Sequence, residues 1–125
     1  MFIRSLDRLP GIVAGDNCAL KELFNPVKDP ELESVGYSLA HAVVGPGEST
    51  IPHMLTGSEV YYVLKGEGIM HVGDETERIR PGDAVYIPPE AVQFVECVST
   101  ENLEFLCIVD PAWTESCEIV IGHDS

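Results

Sequence analysis

The stretch "PHMLTGSEVYYVL", Pro52 to Leu64, holds the pair of side chains in this 125-residue chain with the clearest chemical potential. His53 precedes Glu59 by six residues, and Glu59 opens a run that is otherwise almost wholly apolar. An ionised carboxylate among apolar neighbours is costly unless something pairs with it. Lys and Arg together number only seven, and few fall in the apolar segments, so a divalent cation is a natural partner for Glu59. The four cysteines, Cys18, Cys97, Cys107 and Cys117, show no CxxC spacing, which argues against a zinc knuckle or a thioredoxin-type redox pair. Buried reduced thiols are the simpler reading.

The elements that must position these groups can be read from punctuation and alternation. Turn signals follow one another from residue 25 onward: "NP", "DP", "GPG", "TGS", "KGEG", "VGD", "RPGD", "IPPE" and "DPAW". Between them lie "YSLAHAVV", "EVYYVL", "IMHV", "AVYI", "VQFVECV" and "LEFLCIVD", short segments rich in Val, Ile, Tyr and Phe. Segments of this length and composition are strands, and their regular spacing predicts an all-β sandwich or barrel. Turns of helix are expected only early, at "ALKELF" and at "PELESV", where Pro30 would open the helix and Asp29 would cap it.

Alternation along the strand from Glu59 puts Tyr61 and Val63 on its side and Val60, Tyr62 and Leu64 on the other. Both faces are apolar, so one should line the interior and the other should meet a second sheet or a second copy, which makes a homodimer the expectation. No window approaches the ~20 apolar residues of a membrane span. The N-terminus lacks the uninterrupted apolar stretch of a secretory signal, so a cytoplasmic protein is expected. With 21 acidic against 7 basic residues the formal charge is −14, which repels a phosphate backbone and excludes nucleic acid as a natural partner. No repeat or linker divides the chain, so residues 1–125 are read as one domain with a core over 37–109, an N-terminal extension over 1–36 and a tail over 110–125.

"GESTIPHMLTGSEVYYVLKG", Gly47 to Gly66, and "GDAVYIPPEAVQ", Gly82 to Gln93, resemble the two signatures of the cupin superfamily. In the first, a Gly, two His one residue apart, a Glu and a second Gly recur at fixed spacing; in the second, Gly, Pro, Gly and His do. The resemblance implies a double-stranded β-helix, the small jelly roll or cupin barrel, preceded here by a short helical or extended N-terminal segment. It further implies a divalent transition metal (Mn, Fe, Ni or Zn) held by the two His and the Glu of the first signature and the His of the second. Position by position, this chain offers His53, Leu55, Glu59 and Gln93, and Glu90 stands where the second signature has Gly.

Gln93 then has two readings. Its amide oxygen is a neutral metal ligand, and its amide N–H can equally donate to Glu59 in a metal-free network that His53 completes. Leu55 coordinates nothing, and His41 in "YSLAHAVV" is the candidate replacement if it projects inward; a hydrogen-bonded core histidine is the alternative. His71 and His123 are weaker candidates. Tyr61, Tyr86, Cys107 and Trp113 are candidate pocket residues. Trp113 either folds over the barrel mouth or packs on a second copy.

The family spans isomerases, dioxygenases, decarboxylases and non-enzymatic binding proteins, so the fold alone does not set the activity. The resemblance to stand-alone cupins of the mannose-6-phosphate-isomerase-like kind suggests a metal-binding protein of small-molecule metabolism, acting on or binding a small polar, oxygen-rich, sugar-related molecule. As an enzyme it would be a metal-dependent isomerase or dioxygenase; the other reading is a non-enzymatic binding or sensing module. A phosphosugar would require Lys or Arg, of which the chain has few.

Overall fold

A computed structural model describes residues 1–13 and 18–121. Among the described residues, eleven strands alternate with turns: β1 (Ile12–Val13), β2 (Ala19–Phe24), β3 (Ser38–Val44), β4 (His53–Leu55), β5 (Ser58–Lys65), β6 (Gly68–Val72), β7 (Glu75–Ile79), β8 (Ala84–Ile87), β9 (Gln93–Cys97), β10 (Leu103–Asp110) and β11 (Glu118–Val120). They form a six-stranded sheet, β1-β2-β3-β10-β5-β8, and a five-stranded sheet, β11-β4-β9-β6-β7. Neighbouring strands pair antiparallel. This is the jelly-roll architecture of a cupin barrel.

The segments read as strands are strands, and their alternation sets the core. Ala40, Ala42 and Val44 of β3, Tyr61 and Val63 of β5, Val95 and Cys97 of β9 and Leu103, Phe105 and Cys107 of β10 bury into one cluster. On β5 the opposite face leaves Tyr62 and Leu64 exposed, and Tyr86 of the neighbouring β8 is exposed beside them. The Tyr61 and Phe105 rings lie 4.3 Å apart centre to centre, a contact worth about 0.5–1.5 kcal/mol beyond the area it buries.

The segment "ALKELF" is not helical: it is β2, paired with β3 from Ala19↔Val43 to Phe24↔Leu39. Six residues cannot offset the cost of nucleating a helix, whereas the edge of β3 supplies a ready ladder. "PELESV" does turn, as a single 3-10 turn over Pro30–Leu32 with Asp29 at its cap position. The Asp29 side chain does not cap that turn. It accepts from Arg4 Nη1 at 2.9 Å and from the Asn25 backbone N–H at 3.1 Å, and the hydrogen bond from Arg4 holds its carboxyl below the usual aspartate range.

Turn geometry explains two signature positions. Gly66 has φ +77°, and a Cβ there would strike the Asn102 carbonyl group and approach Leu103 Cα to 2.8 Å, so only glycine fits. Glu90, which replaces the glycine of the second signature, keeps the left-handed conformation at φ +66°, and its N–H donates to Leu55 O at 2.8 Å. A left-handed residue with a Cβ costs ~1–2 kcal/mol, partly offset by the smaller unfolded-state freedom of a non-glycine residue. Glu90→Gly is therefore expected to stabilise the protein by about 1 kcal/mol and Glu90→Val to destabilise it, as read by chemical denaturation. Equal midpoints for the parent and both variants would show that the turn carries no strain.

Candidate functional site

Side chains of both sheets enclose a pocket of about 130 Å³ whose wall includes His53, Leu55, Glu59, Tyr61, Cys107 and Trp113. Spacing by two residues explains the pairs: Glu59 and Tyr61 share the inner face of β5, and His53 and Leu55 share that of β4. Gln93 opens β9 directly opposite His53. Its Nε2 donates to Glu59 Oε1 at 3.0 Å, and its Oε1 accepts from the Tyr61 hydroxyl at 3.0 Å. All three side chains are buried. Because β5 and β9 belong to different sheets, these two bonds tie the sheets together across the interior. The amide can point only one way, since reversing it would set its oxygen against the carboxylate.

His53 is oriented by its backbone. Nδ1 lies 2.8 Å from the Ile51 carbonyl oxygen, which can only accept, so Nδ1 carries hydrogen. In the neutral ring Nε2 is then the accepting nitrogen.

The rest of the wall comes from segments on either side of the barrel core. Glu22 of β2, Lys28, Ser38, Trp113 and Glu118 of β11 complete it, with Cys18, Ala40 and Phe105 among the apolar groups. Lys28 Nζ pairs with Glu22 Oε1 at 2.8 Å and sits 5.8 Å from the centre of the Trp113 ring. Trp113 is held three ways: its indole N–H donates to Glu118 Oε1 at 2.9 Å, its backbone N–H donates to Ser38 Oγ at 2.9 Å, and its carbonyl accepts from Asn25 Nδ2 at 2.9 Å. Asn25, only 1% exposed, also donates to Glu22 Oε2 at 3.0 Å. One buried amide thus links the N-terminal strand to the segment that carries the indole.

Of the expected site residues, His53, Glu59, Tyr61, Cys107 and Trp113 share this pocket, and Gln93 hydrogen-bonds to two of them. Two others lie elsewhere. His41 turns to the opposite face of β3, where it meets Glu104 Oε1 at 3.1 Å and lines a separate crevice with Leu6, Lys21 and Val43. The small Ala40 and Ala42 take the inner face instead, beside Cys107 and Phe105 across the ladder, and leave room for the Tyr61 and Phe105 rings. Tyr86 is 64% exposed: Val85 and Ile87 of β8 point inward, so alternation turns Tyr86 out. His71 stacks on Phe94 at 4.0 Å between ring centres, on β6 of the five-stranded sheet. His123 lies outside the described residues. Sequence reasoning missed Glu22, Asn25, Lys28 and Glu118; the "NP" at Asn25 marked a turn, but nothing local marked its buried amide.

A cupin metal needs three or four protein ligands around the ion. The signature positions supply two such side chains, His53 and Glu59, while Leu55 has no donor atom and Gln93 spends its amide on Glu59 and Tyr61. Among the described residues, no group of three or more His, Cys, Asp or Glu side chains is placed to hold a metal ion. The residues present do not fit the family's metal.

Two antiparallel sheets closed around a pocket of this kind define a single-domain cupin barrel. The Cupin domain family matches residues 40–109, and the chain belongs to that family. It is 32% identical over 116 residues to an uncharacterized protein of Methanocaldococcus jannaschii, covering 91% of this chain and 90% of that one. It is also 32% identical over 65 residues to an oxalate-binding protein of Thermotoga maritima, covering 51% of this chain and 54% of that one. With dimethylsulfoniopropionate lyase DddW of Ruegeria pomeroyi it shares 42% identity over 53 residues, covering 42% of this chain and 35% of that enzyme. Among solved structures, a cupin barrel protein of Salinispora arenicola superposes with TM-score 0.75 at 22% identity, over 94% of this chain and 92% of that one. A variant of Bacillus subtilis oxalate decarboxylase superposes with TM-score 0.79 at 18% identity, over 94% of this chain and 32% of that one. These structural likenesses establish the fold. No helix of the described residues is long and apolar enough to cross a membrane.

Proposed function

We propose that this cupin is a small-molecule binding protein whose pocket works without a resident transition metal. The observation that carries this reading is the Glu59–Gln93–Tyr61 chain of hydrogen bonds at the pocket, which pairs the carboxylate with an amide where the family pairs it with an ion. Small-molecule chemistry in the relatives, an oxalate-binding protein and a lyase, supports the general role. At about 130 Å³ the pocket is well below the ~300 Å³ of drug-sized sites, so its ligand has only a few heavy atoms. His53 and Glu59 would hydrogen-bond the ligand, and Trp113 would cover it. A phosphorylated sugar is a poor match, because the basic side chain on this wall, Lys28, is already paired with Glu22.

The test is a thermal-shift screen of small metabolites on protein purified without chelator, with elemental analysis of the same sample. Below about a tenth of an equivalent of metal, an unchanged melting temperature in EDTA and a ligand-dependent rise are expected, the last worth about 2.7 kcal/mol at a hundredfold excess over Kd. A stoichiometric metal whose removal by EDTA lowers the melting temperature would overturn the metal-free reading.

A further inference from the structure

The wall of the pocket also indicates what class of molecule it takes. Three carboxylates, Glu22, Glu59 and Glu118, face one ammonium, that of Lys28. With the His53 ring counted neutral, the surplus is negative whether Glu59 is counted charged or neutral. Three aromatic rings, Tyr61, Phe105 and Trp113, line the same space. Carboxylates beside aromatic faces are the chemistry that recognises alkylammonium groups, since the ring quadrupole attracts a cation that is too weakly hydrated to prefer water.

A second observation points the same way. The Lys28 ammonium already lies 5.8 Å from the centre of the Trp113 ring while it pairs with Glu22, within the ~6 Å range of a cation–π contact. The chain's own alkylammonium thus uses this aromatic face. Its side chain is 59% exposed, so Lys28 reaches the indole from the solvent side and can swing away. The indole is anchored: its N–H donates to Glu118, and Ser38 and Asn25 fix the Trp113 backbone that carries it.

From this geometry we infer that the pocket is selective for a compact quaternary ammonium compound, which enters as Lys28 withdraws from Trp113. The inference rests on the small-molecule binding reading above and gives it a ligand class. It assigns Trp113 and Glu118 as cation-binding residues and Lys28 as a competitor for their site. An anion-binding pocket would use Lys28 in the opposite sense, as the attracting charge, so the same substitution separates the two.

The experiment is calorimetric titration at fixed ionic strength with choline, with its uncharged isostere in which carbon replaces nitrogen, with oxalate and with erythritol. Choline is expected to bind at least about tenfold more tightly than its isostere. Lys28→Gln should tighten choline severalfold, and Trp113→Leu and Glu118→Gln should each weaken it severalfold. Lys28 is solvent-exposed, so its variant tests the inference even if Trp113→Leu fails to fold. If the isostere, erythritol or oxalate binds as well as choline, or if Lys28→Gln weakens choline, the ligand class is wrong and the pocket reading stands. Should none of the four bind, the ligand class is likewise overturned, and the metabolite screen above decides the pocket reading separately.

Discussion

The double variant Leu55→His, Gln93→His is expected to bind about one equivalent of a divalent transition metal, where the parent protein holds almost none. Leu55 is 4% exposed and shares the pocket wall with His53 and Glu59, and Gln93 pairs with His53 across β4 and β9. Imidazoles at both positions would join His53 and Glu59 in a set of three nitrogens and one carboxylate, which suits Mn, Fe, Ni or Zn. Each single variant supplies one ligand fewer and should bind more weakly. Without metal, the double variant should be less stable than the parent by about 2 kcal/mol or more, because a well-packed leucine and a doubly bonded amide have both been lost. Metal at a hundredfold excess over Kd returns about 2.7 kcal/mol. EDTA should therefore lower the melting temperature of the double variant by several degrees and leave that of the parent unchanged. A double variant that folds yet carries no metal would mean that the barrel has lost the geometry of the site as well as its ligands.

The barrel core was legible because its strands carry their own alternation. In β5, Glu59, Tyr61 and Val63 turn inward and Tyr62 and Leu64 outward, as two-residue periodicity requires. The terminal segments were harder to read. "ALKELF" has the composition of a helical turn, and only its pairing with a strand about twenty residues away makes it β2. Likewise β11 exists because Glu118, Ile119 and Val120 find β4, more than sixty residues earlier in the chain. Local pattern contains no signal for such contacts.

The same division runs through the site. His53 and Glu59 stood out because a charge and an imidazole interrupt an apolar stretch at signature spacing. His41 was misplaced because β3 is apolar on both faces, and alternation alone does not say which face is inner; the room needed by the Tyr61 and Phe105 rings decides it. Glu22, Lys28 and Glu118 reach the pocket, and Asn25 braces Trp113 behind it, on the two segments that local pattern described least well. The part of the wall that carries the charge balance was thus the part hidden from the sequence.

Gln93→Leu is the substitution expected to cost the most stability, and its repair tests the network directly. The amide serves two buried partners, so removing it takes one hydrogen bond from a carboxylate and one from the Tyr61 hydroxyl. Hydrogen bonds to charged groups contribute about 1.5–3 kcal/mol and a neutral one about 1, so a loss of roughly 3 kcal/mol is expected in chemical denaturation. Glu59→Leu alone should be costly too, because it leaves the buried amide donor unsatisfied. Replacing every member of the chain by an apolar group of similar shape removes the polar atoms instead of stranding them. The triple variant Glu59→Leu, Tyr61→Phe, Gln93→Leu should therefore recover most of the stability lost in Gln93→Leu, while losing ligand binding. Non-additivity of at least about 1 kcal/mol between the single and triple variants is the signature of one connected network. Additive losses across the series would mean that the three side chains act separately, and that the carboxylate at the head of the apolar strand is held by something other than the amide beside it.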